Sequence, residues 1–189
     1  QDLIDLQTNY IATSYNLNSG DDSWSSEKAL GMEWNRWGQT WSHARMSTNG
    51  CVNLTSGSAG GTSANCQDYT PQSLPYQDYT LYPFWTDLIR SNSSKMLFRD
   101  FGDHVVFGWY HMKEYNRSSS NSFEAILYDN NSFEYRYREL DIINHDVLIG
   151  EQGHHSSTPA DTKTYLFYND GQSGYNNLDA YLANSGWPD

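Results

Sequence analysis

The stretch from Ser122 to Arg138 constrains the fold more than any other. In its second half Phe133, Tyr135 and Tyr137 alternate with Glu134, Arg136 and Arg138. Rings collect on one face and charges on the other only if successive side chains point to opposite sides. Helical spacing cannot sort them this way, whereas a half-buried antiparallel strand does. Ser122–Tyr128 is the partner strand, and Asp129-Asn130-Asn131 makes the turn. Asn tolerates the left-handed backbone that such turns demand.

The rest of the chain repeats the theme. Leu30, Met32 and Trp34 alternate with Gly31 and Glu33, and Asn35-Arg36-Trp37-Gly38 reads as a turn. Trp41 leads a strand into Ser47-Thr48-Asn49-Gly50, and Asn-Gly is a strong hairpin signal ahead of Cys51–Leu54. Lys95–Arg99, the nearly continuous apolar run Val105–Met112, Val147–Gly150 and Thr162–Tyr168 read as further strands, with one more inside Gln1–Ser26. The tail Tyr175–Ala183 has room for one or two helical turns. Many short strands between turn signals predict an all-β antiparallel β-sandwich with long loops and at most a short C-terminal helix. At 189 residues the expectation is a single domain, 1–189.

The densest aromatic stretch is Tyr79–Leu88. Phe84 and Trp85 are expected at the centre of the core, because large rings dominate burial. Pro83 suits a strand start or edge, since it cannot donate to a ladder. Asp87, set behind the two rings, is expected to be a buried structural carboxylate with hydrogen-bond donors around it.

Aromatics are 15% of the chain and charged residues 18%, which excludes a disordered segment. The net charge of -12 argues against nucleic acid or an anionic membrane as partner. No apolar run approaches the roughly 20 residues of a membrane helix, there is no signal peptide in the sequence, and Gln1-Asp2 reads as a mature or excised start. Cys51 and Cys66 flank a stretch of small polar residues with the wrong spacing for a zinc knuckle. They read as a disulfide worth roughly 3 kcal/mol, and hence as a sign of export. Asn-x-Ser/Thr sequences begin at Asn53, Asn92, Asn116 and Asn130 and matter only for a eukaryotic source.

Several of these pieces, in this order, resemble the extracellular nidogen-like (NIDO) domain. Leu30-Gly31-Met32 through Trp37-Gly38 to Ser47-Thr48-Asn49-Gly50 is similar to its opening hairpin. Tyr82-Pro83-Phe84-Trp85-Thr86-Asp87 resembles its Pro-Phe-Trp-x-Asp motif. Gly108-Trp109-Tyr110, Asn121–Tyr128 and Phe133–Tyr137 resemble its closing hairpin, and Ile149-Gly150 its last strand. The resemblance covers about residues 28–151; 55–80 looks like an inserted loop, and 153–189 is a C-terminal strand and tail outside it. It implies an extracellular or cell-surface module, one domain of a larger secreted or surface protein, with no catalytic residues to carry over.

The residues offer two function classes. One is a binding or adhesion module for a protein, peptide or glycan. Trp37 and Trp41 in the first hairpin, and Tyr69, Tyr76 and Tyr79 in the inserted loop, occupy turn or loop contexts, and such rings give contact area at low entropic cost. The other is a glycoside hydrolase using Glu124 and Glu134, which lie on two arms of one hairpin and could face each other. Arg136 and Arg138 on the face of Glu134 favour a solvated charge face instead. Calcium is an option for an acidic surface, but no segment has EF-hand-like spacing, and Asp21-Asp22 reads as a solvated turn. His154-His155 would point to opposite faces and reads as loop. No Gly-x-Ser-x-Gly marks a nucleophile. The binding module, without enzymatic activity or cofactor, is the favoured expectation.

Overall fold

The computed structural model describes residues 2–8, 21–58, 69–154 and 163–168. Its strands are β1 (Lys28–Arg36), β2 (Gln39–Met46), β3 (Val52–Thr55), β4 (Thr80–Trp85), β5 (Leu88–Ile89) and β6 (Lys95–Asp100), followed by β7 (His104–Glu114), β8 (Asn121–Tyr128), β9 (Phe133–Glu139), β10 (Leu148–Gln152) and β11 (Lys163–Tyr168). They pair antiparallel into a six-stranded sheet, β1-β2-β3-β4-β10-β11, and a five-stranded sheet, β5-β7-β8-β9 with β6 also on β7. This is the all-β sandwich the alternating patterns predict, and no helix occurs among the described residues. Tyr175–Ala183 and Cys66 lie outside those residues.

The inter-sheet core holds Trp34, Leu81, Phe84, Phe107, Trp109 and Phe123 among others, with the rings of Phe133, Tyr135 and Tyr137 packed against it from β9. Phe84 and Trp85 are both fully buried, but they do not share one centre. Trp85 joins Tyr82, Cys51, Leu74 and Leu148 in a second cluster. Consecutive strand residues point to opposite faces, which separates the two rings. Tyr82 pairs with Gly150 and Trp85 with Leu148, so β4 spends one more residue than β10 over this interval. The extra residue falls at Pro83-Phe84, and a bulge is where a missing N–H costs least. It also breaks the alternation, so that Leu81 and Phe84 belong to one cluster while Tyr82 and Trp85 belong to the other.

The expected N-terminal strand is absent from residues 2–8, which form a turn. Leu6 there packs with Leu97, Val106, Tyr110 and Ile126, on a third cluster. This segment joins no ladder, and its backbone is bound by side chains instead.

The Asn49-Gly50 turn is fitted onto β4 and the residues after it. Gly50 O accepts the Phe84 N–H at 3.3 Å, and Asn49 O accepts that of Thr86 at 3.2 Å. Asn49 Oδ1 accepts the Leu88 N–H at 3.0 Å. Gly50 sits at φ +86°, and a Cβ there would lie 2.0 Å from Phe84 O. Side chains of the five-stranded sheet then cross to carbonyls of this layer. Trp109 Nε1 donates to Ser47 O at 2.8 Å, Tyr137 Oη to Pro83 O at 2.6 Å, and Tyr135 Oη to Gly150 O at 2.8 Å.

This joint predicts an asymmetry between two glycines. Gly50→Ala combines positive φ with a backbone clash and should cost at least about 2 kcal/mol in urea unfolding. Gly38→Ala also meets positive φ, but nothing lies within 4 Å of its Cβ position. It should cost only about 1 kcal/mol. Equal losses would show that the turn is not packed against β4 as described.

Candidate functional site

At the β1–β2 turn Arg36 pairs with Gln39, leaving Trp37 and Gly38 as a two-residue loop at φ +54° and +73°. Such loops need positive φ at both positions, which Gly meets freely and a bulky residue only at a cost of about 1–2 kcal/mol. Packing holds Trp37 there. Its ring lies so close to Gly153 that a Cβ on that glycine would approach to 2.8 Å. It meets Trp34 edge-on at 6.3 Å and Tyr79 at 6.1 Å. Arg36 spans the same edge, 5.8 Å from the Trp37 ring and 4.7 Å from Phe133, with its guanidinium bound to both oxygens of Glu151 at 2.6 Å.

Tyr79 is the second strained residue, also at φ +54°. Its N–H donates to Gly153 O and its carbonyl accepts from Leu54 N–H. Its ring lies 4.6 Å from Trp41 and 5.8 Å from His154, and its hydroxyl accepts from Gln39 Nε2 at 2.7 Å. Asp78 beside it faces His154 Nε2 at 3.6 Å and accepts from Gln152 Nε2 at 3.1 Å. Two aromatic residues at positive φ, touching, with an amide, a carboxylate and an imidazole at their rim, make a preformed patch at one end of the six-stranded sheet.

The five aromatics singled out by sequence are therefore divided. Trp37, Trp41 and Tyr79 come together, although Trp41 is a strand residue only 6% exposed and not a loop ring. Tyr76 sits elsewhere, stacked at 4.9 Å on Trp85, with its N–H donating to Gln152 Oε1. Tyr69 is 55% exposed and forms no ring pair among the described residues. Gln39, Asp78 and His154 were not legible as neighbours, because three separate segments bring them together. Cys51 is fully buried in the Trp85 cluster.

Glu124 and Glu134 do not face each other. Glu124 pairs with Arg136, and Glu134 with Ile126. Glu124 is fully buried and receives the N–H groups of Ile4 (2.9 Å) and Asp5 (2.8 Å) and the Tyr110 hydroxyl (2.6 Å). Tyr110 Oη in turn accepts the Leu6 N–H at 3.0 Å. Glu134 accepts from Tyr128 Oη at 2.9 Å and pairs with Arg136. The solvated charge face expected here is largely covered, because residues 2–8 lie over it, with Arg138 bound to Asp5 at 2.8 Å.

A second polar centre lies where the sheets are joined. Fully buried Glu114 accepts the N–H groups of Ile143 (3.0 Å), Asn144 (2.6 Å) and His145 (3.0 Å), and pairs with Arg117. Burial would raise its carboxyl, but the hydrogen bonds from His145, Arg117 and these amides bring it down to about 2. His145 places Nδ1 2.8 Å from Glu114 and Nε2 3.3 Å from Asp87. Burial lifts Asp87 to about 6, with His145 opposing and the charges of Asp22, Asp21 and Glu114 adding. Asp21, Asp22 and Asp87 each bring one oxygen within 4.8 Å of the others, the one acidic trio of this kind among the described residues. Asn49 Nδ2 holds Asp22 at 2.7 Å, and His145 Nε2 lies 3.3 Å from Asp87.

A family model described as NIDO related matches residues 6–173, which extends the match beyond the 28–151 span of the sequence motifs at both ends. No curated protein and no solved structure matches the chain.

Two outcomes follow for the buried glutamates. Glu124→Gln puts an NH2 group against a donor and should cost about 2–3 kcal/mol, with faster amide exchange at Ile4 and Asp5. Unchanged protection of those amides would show that the segment is held by apolar contact alone. Glu114, whose folded pKa is lowered, contributes stability above its ordinary value of 4.5 that is lost as pH falls toward about 2. Acid titration of the unfolding free energy should show that loss, and Glu114→Gln should remove it.

Proposed function

The chain belongs to the NIDO-related family, and from that membership we propose a non-enzymatic extracellular binding or adhesion module that recognises a protein, peptide or glycan through its loops. The observation that carries this is the pair of strained aromatics. Trp37 and Tyr79 both sit at φ +54°, against each other, at the end of a sheet. Backbone strain of this kind persists where surrounding packing over-determines it, and it collects at ligand clamps. Function also gathers on loops carried by a rigid frame. The patch combines ring surface with Gln39, Asp78 and His154 as polar partners, which suits a ligand with alternating apolar and hydroxyl or amide groups. Tyr69, 55% exposed, lies earlier on the segment that leads to Tyr79 and is proposed as a further contact. Recognition is proposed to need no cofactor, and no helix among the described residues is long and apolar enough to cross a membrane.

The catalytic alternative has little to stand on. Glu124 has its lone pairs committed to residues 4, 5 and 110, and Glu134 to Tyr128 and Arg136. An extracellular setting fits the proposed Cys51–Cys66 disulfide, whose Cys51 is buried directly before β3. Two free thiols in protein recovered from an oxidising compartment would remove it.

A glycan and peptide array, run in calcium and again in chelator, should give hits of equal strength in both. Trp37→Gly deletes the ring while relieving the positive φ, and Tyr69→Ala deletes the exposed ring. Both should fold and lose at least about tenfold in affinity, the scale of one stacking contact. Full affinity in the folded variants would place the binding face elsewhere, and hits that vanish in chelator would make recognition cation-dependent.

A further inference from the structure

We propose that His145 is a clasp, closed at neutral pH and released as the pH rises, that holds together the two passages of the chain between the sheets. Among the described residues the chain leaves the six-stranded sheet at Thr86-Asp87, between β4 and β5, and returns through residues 140–147, between β9 and β10. His145 sits on the return passage. Its Nε2 reaches Asp87 on the outward passage at 3.3 Å, and its Nδ1 reaches Glu114, at the end of β7, at 2.8 Å.

The chemistry of the ring makes this arrangement a switch. A neutral imidazole has one N–H and one lone pair, while an imidazolium donates from both nitrogens. With both carboxylates ionised, the two contacts are satisfied together only by the imidazolium. Loss of its proton sets a lone pair against Asp87 or against Glu114, and one contact becomes repulsive.

The groups facing the clasp favour the charged ring. Asp21 and Asp22 approach Asp87 from the N-terminal loop, and Glu114 faces the ring from β7. Asp146 lies on the ring's own loop. Arg117 is turned to Glu114 and Asp141, leaving Asp87 to His145. The hydrogen bond to Glu114 raises His145 above its ordinary 6.5, with burial opposing and Asp87, Glu114 and Asp146 adding.

A raised folded pKa means stability that is complete below 6.5 and lost as pH climbs through the folded value. Asp87 is also raised, so its contribution falls between 3.8 and about 6, before that of His145 begins to fall. Glu114 changes only on the acid side. Of these three groups only His145 contributes on the alkaline side. On release, the return passage loses its tie to Asp87, and the burial of Leu140, Ile142 and Val147 on that passage is weakened.

The test uses the unmodified chain with ring and amide nitrogens labelled, in chelator, from pH 5 to 9. At pH 7 both ring nitrogens of His145 should carry protons. Across its titration the amides of Ile143, Asn144 and His145 should lose protection relative to the strand amide of Phe107. Asp87→Asn should move the His145 midpoint downward, and His145→Gln should flatten the alkaline fall in unfolding midpoint. A ring with a single proton at pH 7 would overturn the clasp. So would constant relative protection across the titration, or a midpoint unmoved by a folded Asp87→Asn protein. None of these readouts depends on the binding reading, and failure of either leaves the other standing.

Discussion

The structure depends on one fitted contact, the Asn49-Gly50 turn against the chain from Phe84 to Leu88. This segment runs from the bulge, past the last β4–β10 pair at Trp85, to the start of β5 in the other sheet at Leu88. Its amides must still be satisfied, since buried orphan donors are costly. Asn49 and Gly50 satisfy three of them, at residues 84, 86 and 88. Only a residue without a Cβ allows the approach to Phe84 O. The two most distinctive sequence pieces, Ser-x-Asn-Gly and Pro-Phe-Trp-x-Asp, are thus the two halves of one joint. Trp109, in the third piece, bonds to Ser47 at its side.

From this joint follows the three-layer use of aromatic side chains. A shift of one residue in β4 puts Phe84 with Leu81 on one face and Trp85 with Tyr82 on the other, and the six-stranded sheet has a buried outer face as well as an inner one. The long segment before β4 provides the cover through Leu74 and Tyr76. On the opposite side residues 3–6 cover the five-stranded sheet. Much of the high aromatic content is spent in this way, and only part of it remains for a ligand.

How far the sequence speaks can be read from particular residues. β9 was legible because its alternation has only one solution, and the Asn-Gly turn because its backbone demand is local. β7 was legible as a strand buried on both faces. The parity break in β4 was hidden, since a proline at a bulge looks the same as a proline at a strand start. Two-residue β5 carries no periodicity at all. The seating of residues 2–8 rests on Glu124, about 120 positions away, and no local pattern announces that contact. Trp41 looked like a loop ring because its strand neighbours are polar, while its burial comes from the other sheet and from Tyr79. In the candidate patch, Trp37 was legible from its turn, but Gln39, Asp78 and His154 were brought to it by tertiary structure.

The acidity of the chain has a different meaning once the carboxylates are located. A net charge of -12 suggests at first a surface built for cations. Yet Glu124 binds the backbone of residues 4 and 5, Glu114 that of residues 143–145, and Glu27 binds Thr55 Oγ1 and the Gly57 N–H. For residues 4, 5 and 143–145 a carboxylate serves as the acceptor for backbone outside any strand. Charged acceptors make the stronger hydrogen bonds, which suits the task of fixing irregular chain to a sheet. The acidic residues are thus partly structural, and the surplus charge is not by itself a guide to the ligand. The ring patch at Trp37 and Tyr79 is the better guide, because there two large rings meet at positive φ beside an amide, a carboxylate and an imidazole.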